Sequence, residues 1–215
     1  MNEEKEYVIS RDSSGFVNIS DVACDVILEL RYYSTYNFIG DRIDGYLQPI
    51  ALLTKEAAAA LKAASNEAVS NGYRIKIYDA YRPQRAVEHF VRWAKDLNDT
   101  RMKSIFYPEV SKVNLFSEGY IAEHSGHSRG STVDITLFDM AKGCEADMGG
   151  YFDYFGEISH SDYKELDEKQ YNNRMLLKRI MVNSGFTPLR EEWWHFTLED
   201  EPYKDTYFDF SISCG

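Results

Sequence analysis

The chain has 215 residues, 44% hydrophobic and 27% charged, an ordinary globular composition with material for one sizeable core. Its net charge of -11 excludes the clustered basic surface that nucleic acid or an anionic membrane requires. No run approaches the roughly 20 apolar residues that span a bilayer, and the polar, acidic stretch Met1 to Arg11 lacks a signal-peptide-like apolar segment, so a cytoplasmic protein is expected.

No internal repeat, low-complexity tract or linker divides the sequence, which predicts a single domain over residues 1–215. The first 50 residues hold short apolar runs, such as Asp25 to Leu30, broken by Gly40 and Gly45. Thr54 suits the N-cap of a helix running through Ala57 to Ser70, and Asn71-Gly72 suits its end. Tyr73, Ile75 and Ile77 then alternate with Arg74, Lys76 and Tyr78, the period of a strand. Pro83 fits the first turn of a second helix carrying Val87, Phe90, Val91 and Ala94 inward, which leaves Arg82 at a strand-to-helix junction. Thr132 to Phe138 alternates again, with Val133, Ile135 and Leu137 on one face and Thr132, Asp134 and Thr136 on the other. A third helix is expected over about Ser161 to Asn183, ended by Ser184-Gly185, and a last strand over Trp193 to Leu198. Helices and strands interleave without a βαβ series or Gly-rich phosphate loop. The expected class is α+β, with a mainly antiparallel sheet flanked by helices.

The 16 Tyr, 12 Phe and 3 Trp point to a well-packed interior. Cys24, Cys144 and Cys214 are odd in number and widely spaced, so they read as ordinary thiols rather than a disulfide framework or a thiolate metal site. Chemistry falls to three segments. Glu123 to Asp134 (Glu-His-Ser-Gly-His-Ser-Arg-Gly-Ser-Thr-Val-Asp) sets His127 seven residues before an aspartate on the polar face of its strand. Such a carboxylate needs a metal, a cation or hydrogen-bond donors; the bland alternative is that Asp134 caps a turn or pairs with Arg129. Glu191-Glu192-Trp193-Trp194-His195 offers a glutamate beside a histidine, a proton acceptor beside a ligand. In a regular strand Glu191 shares a face with His195 and Glu192 does not, so spacing alone leaves both open; two tryptophans in a core strand are the plain alternative. Tyr78-Asp79-Ala80-Tyr81-Arg82-Pro83 presents an arginine that could stabilise an oxyanion or merely form a surface ion pair.

Together these segments resemble one family. Ser125 to Leu137 (Ser-Gly-His-Ser-Arg-Gly-Ser-Thr-Val-Asp-Ile-Thr-Leu), Glu192-Trp-Trp-His195 and Asp79-Ala-Tyr-Arg-Pro83 are similar, in content, order and separation, to the signatures of VanX-type D-alanyl-D-alanine dipeptidases. Leu30 to Gly40 and Asp147 to Phe155 look similar too, so the resemblance covers about residues 28 to 198. It implies one zinc ion held by His127, Asp134 and His195, with Glu192 rather than Glu191 as general base and Arg82 stabilising the tetrahedral intermediate. Ser125 and Asp153 match positions holding the substrate's amino terminus, and Tyr32 matches a pocket tyrosine. His124 is extra to the pattern, beside the pocket or in solvent, and His89 and His160 are assigned to packing or surface. The implied reaction is hydrolysis of D-Ala-D-Ala to two D-alanines, which either depletes a peptidoglycan precursor, as in glycopeptide resistance, or frees D-alanine as a nutrient. The rival readings are a D,D-carboxypeptidase or cell-wall endopeptidase acting on longer peptides, and a zinc-binding module without catalysis.

Overall fold

The computed structural model describes residues 7–213. In chain order it contains β1 (Val8–Ser10), β2 (Phe16–Asn18), α1 (Ile19–Val22), β3 (Ile27–Leu28), β4 (Leu52–Thr54), α2 (Lys55–Ser70) and β5 (Tyr73–Asp79). There follow α3 (Gln84–Lys95), α4 (Lys103–Phe106), β6 (Thr132–Asp139), β7 (Cys144–Glu145), α5 (Glu168–Asn183), β8 (Phe186–Pro188), β9 (His195–Leu198) and β10 (Thr206–Phe208). The two alternating segments are the long central strands, and the Thr54 side chain accepts from the Ala57 N–H to cap α2 as expected.

The main sheet runs β3-β5-β6-β9-β8, with β7 beside the end of β6. Its Ile75, Ile77, Val133, Ile135 and Leu137 are fully buried, as are Leu61, Ala64 and Ala68 of α2 and Leu177, Ile180 and Met181 of α5. Helices α2 and α5 pack on each other and on the sheet, so these residues form one apolar layer. Thr132, Asp134 and Thr136 occupy the opposite face and are buried as well, beneath the long connections between α3 and β6 and between β7 and α5.

Four expectations change. The class is α+β, but the strands are mixed rather than mainly antiparallel: β3 runs parallel to β5, and β1 parallel to β10. The third helix starts at Glu168, not Ser161, because Asp167 and Gln170 form a capping box that fixes its first turn. The last strand starts at His195, and Trp193-Trp194 form a turn before it. Val91 is half-buried, and Trp93 takes the inward position on α3 instead. Cys24 and Cys144 are free and exposed, and Cys214 lies outside the described residues.

Candidate active site

Four segments converge at one end of β6. In the first, β5 makes a bulge: Ile77 pairs with Ile135 but Asp79 with Asp134, so two residues of β5 oppose one of β6. A bulge re-aims side chains, and it brings Asp79 in beside the polar face of β6. The second segment is the short helical turn Gly126–Arg129, capped by the Ser125 hydroxyl, which accepts from the His127 N–H, and closed by Gly130 at φ 82. Only a residue tolerant of positive φ ends such a turn without strain. The third is β6 itself, carrying Asp134. The fourth is the bend before β9, where the His195 N–H donates to the Glu192 carbonyl at 3.3 Å. That bend removes the parity conflict: Glu192 Oε2 comes to 3.4 Å of His195 Nδ1, while Glu191 is exposed.

His127 is buried, and its Nδ1 donates to the Ala80 carbonyl at 2.7 Å. In a neutral ring this leaves Nε2 as a lone-pair acceptor. Nε2 lies 3.2 Å from Asp134 Oδ2 and 3.3 Å from His195 Nδ1, and His195 Nδ1 lies 3.1 Å from Asp134 Oδ1. Asp134 Oδ1 is buried and, despite that proximity, has no hydrogen-bond partner. Three acceptor atoms facing one another at this range need positive charge between them. Zinc bonded to N and O at about 2.0–2.2 Å sets tetrahedral ligand separations of about 3.3–3.5 Å. The donor set, its spacing and the unpartnered Asp134 oxygen therefore fit a zinc ion, and among the described residues this is the cluster able to hold a metal. The titration of the groups carries the same message. Burial works against a charged His195, yet Asp134 and Glu192 push its imidazole up to about 9. Burial also opposes charge on Asp134, but His127 and His195 hold it well below the usual carboxylate range.

Around the cluster, Arg82 donates from Nε to Asp79 Oδ2 at 2.9 Å and reaches to 3.5 Å of Asp134 Oδ2 and of the Ser125 hydroxyl. Its guanidinium lies over the rings of Tyr32 and Phe90, at 4.9 and 5.1 Å. Tyr32 is buried and donates to Asp153 Oδ1 at 3.1 Å, while Asp153 Oδ2 is buried with no partner. Burial, then the charge of Asp134, pushes the Asp153 carboxyl well above its ordinary value. All eight residues singled out from the sequence line one cavity of about 390 Å³, at the small end of ligand pockets.

His124 lines this cavity too, exposed at its mouth and outside the ligand cluster. His89 accepts the Asp44 N–H away from the site, and Arg129 pairs with Glu201 rather than Asp134. Two residues given no role beforehand now have one. Asp79 is buried under Arg82 and 3.5 Å from His127 Nδ1, and Tyr46 donates to Asp79 at 2.6 Å. Asp79 stood within the Asp-Ala-Tyr-Arg-Pro segment and continued the strand alternation, a usable signal; Tyr46 carried none.

A His/Asp/His metal cluster open to a small pocket, flanked by a carboxylate and a fixed arginine, defines a metal-dependent hydrolase. Within that class the chain matches the D-ala-D-ala dipeptidase family over residues 12–213, and it belongs to that family. It is 40% identical to the D-alanyl-D-alanine dipeptidase of Enterococcus faecalis over 200 residues, covering 93% of this chain and 99% of that protein. The dipeptidase of Streptomyces coelicolor is 40% identical over 92% of this chain and 98% of its own length. That of Escherichia coli K12 is 34% identical over 87% and 86%.

Proposed function

We propose that this chain hydrolyses the dipeptide D-Ala-D-Ala to two D-alanines, with His127, Asp134 and His195 as the zinc ligands. The observation carrying the reading is the convergence of those three donors with Glu192 on one side and Arg82 on the other. Zinc held there would supply Lewis-acid chemistry, a bound water of lowered pKa and a polarised peptide carbonyl. Glu192 takes the proton of the attacking water and returns it to the leaving amine; one carboxylate serves both steps because the amine needs the proton the water loses. Arg82, held by Asp79 and backed by Tyr32 and Phe90, donates to the oxyanion from a position fixed before the reaction. Ser125 and Asp153 receive the substrate's ammonium, and Tyr32 orients the Asp153 carboxylate. The small cavity favours a dipeptide over longer peptides. One domain, 1–215, carries the activity in this reading, supported by the one contiguous hydrophobic core found among the described residues. The two free, exposed cysteines support work in the reducing cytoplasm, and among the described residues no helix is long and apolar enough to cross a membrane.

The test is D-alanine release from D-Ala-D-Ala, beside L-Ala-L-Ala and a pentapeptide ending in D-Ala-D-Ala, with and without chelator. Chelator-sensitive cleavage of the D,D-dipeptide alone is expected, and Glu192→Ala should lower turnover by about 10²-fold or more at unchanged zinc content. Cleavage of the pentapeptide would reassign the chain as a carboxypeptidase. No cleavage at full zinc occupancy would make it a binding module.

A further inference from the structure

A free dipeptide carries an ammonium at one end and a carboxylate at the other, and the residues so far assigned meet only the first. Arg82 is committed to Asp79 and Asp134. The cavity contains a second arginine, and β6 serves as a ruler for locating it. Thr132, Asp134 and Thr136 share one face of that strand at about 3.3 Å per residue along it. Asp153 belongs to the Thr136 side: Phe152, the residue before it, stacks on Tyr78 at 4.6 Å and, with Thr136, lines a separate larger cavity. Arg129 belongs to the Thr132 side. A Cβ placed on Gly126 would sit 2.9 Å from Thr132 Oγ1 and 3.5 Å from Arg129 Nη2. Thr132 Oγ1 in turn bonds Thr197 Oγ1 at 2.9 Å. Arg129 and Thr197 both line the cavity that holds the metal cluster. Along β6 the order is therefore acid, metal ligands, guanidinium, which matches ammonium, scissile carbonyl, carboxylate in the substrate.

The guanidinium is also fixed in advance. Its Nε donates to Glu201 at 2.9 Å, and its carbon lies 6.0 Å from the centre of the Tyr207 ring. Glu201 engages Nε and the Tyr207 hydroxyl takes one further N–H, which leaves Nη2, the nitrogen nearest Gly126, with a donor for a second carboxylate. Gly126 leaves that edge room, since a Cβ there would press on Thr132 and stand in van der Waals contact with Nη2 of the guanidinium.

We propose that Arg129 anchors the α-carboxylate of the substrate, with Gly126 keeping its donor edge clear, and so sets the preference for a free dipeptide acid. The inference rests on the dipeptidase reading above. Its test is steady-state kinetics of the zinc-loaded wild type, Arg129→Met and Arg129→Lys on D-Ala-D-Ala and on its C-terminal amide, in which the same bond is cut. The wild type should prefer the acid by about tenfold or more. Arg129→Met should lose that preference through a raised KM for the acid, and Arg129→Lys should recover part of it. A wild type indifferent to the amide overturns the proposal without any variant. Equal losses on acid and amide in Arg129→Met overturn it too, making Arg129 a scaffold residue. A wild type that cuts neither substrate defeats the dipeptidase reading instead.

Discussion

Asp153 has its backbone at φ 61, the one non-glycine residue at positive φ among the described residues, and its carboxyl is buried. Each feature costs stability, the backbone conformation on the order of 1 kcal/mol and the burial by disfavouring charge. Such costs fit the proposed role of Asp153 in holding the substrate's ammonium. With its pKa raised, Asp153 keeps a proton over a range where an exposed carboxyl has lost it, whereas an ammonium pairs only with the carboxylate. With Asp153 as the ammonium's partner, binding should release a proton, and affinity should rise with pH, by at most tenfold per unit, until the raised pKa is passed. A zinc ion next door draws the carboxyl back down, so metal should shrink the effect. Calorimetry of D-Ala-D-Ala binding to Glu192→Ala protein, in buffers of different ionisation enthalpy, with and without zinc, reads the proton directly. Absence of release in Glu192→Ala, or the same release after Asp153→Asn, would remove Asp153 from ammonium recognition.

At the scale of elements, the turn Gly126–Arg129 does more than carry His127. The Gly130 carbonyl accepts from the Thr54 N–H at 2.8 Å, and the Thr54 and Ser131 hydroxyls share a 2.8 Å bond, so the turn is tied to the start of α2. Gly130 has φ 82, and a Cβ on it would lie 2.2 Å from a Phe16 ring carbon. Gly130→Ala must shift either the Phe16 ring or the turn itself. A cost of about 1–3 kcal/mol is expected, with weakened zinc binding because His127 moves with the turn. Thermal denaturation and a competitive zinc titration check both, and an unchanged zinc affinity would uncouple the turn from the ligand. The Trp193-Trp194 turn acts likewise on the other ligand, placing Glu192 on the His195 side while both tryptophans stay buried.

Over the whole molecule a metal held by this cluster would tie β9 to β6 and the turn before it, elements far apart in the chain. The unfolded chain cannot assemble that cluster, so zinc at about 1,000 times its Kd should stabilise the fold by about 4 kcal/mol. For a protein of this size that is a rise in Tm on the order of 10 °C, lost with chelator and restored by zinc. A Tm indifferent to chelator would place the metal elsewhere.

Much of this was legible from sequence, and the pattern of what was not is physical. Helix α2 with its Thr54 cap, strands β5 and β6, and Arg82 at a strand-to-helix junction depend on neighbours a few residues away, and local periodicity reports such neighbours. The residue types offered the chemistry, few histidines set beside acids, but each segment kept a plain structural alternative until the resemblance carried by all of them together chose between the readings. Spacing could not choose between Glu191 and Glu192; the resemblance made that choice, and the bend at Trp193 gives its geometry. The start of α5 was misjudged because residues 161–167 resemble helix in composition, while the Asp167 capping box decides where the helix begins. Tyr46 beneath Asp79, the β5 bulge, the parallel pairing of β3 and the position of Arg129 beside Gly126 had no local signature. The sequence by itself determined which side chains were available and which short elements would carry them. The tertiary structure alone decided which side chains meet, because contacts between distant segments are set by strand pairing and packing rather than by spacing along the chain.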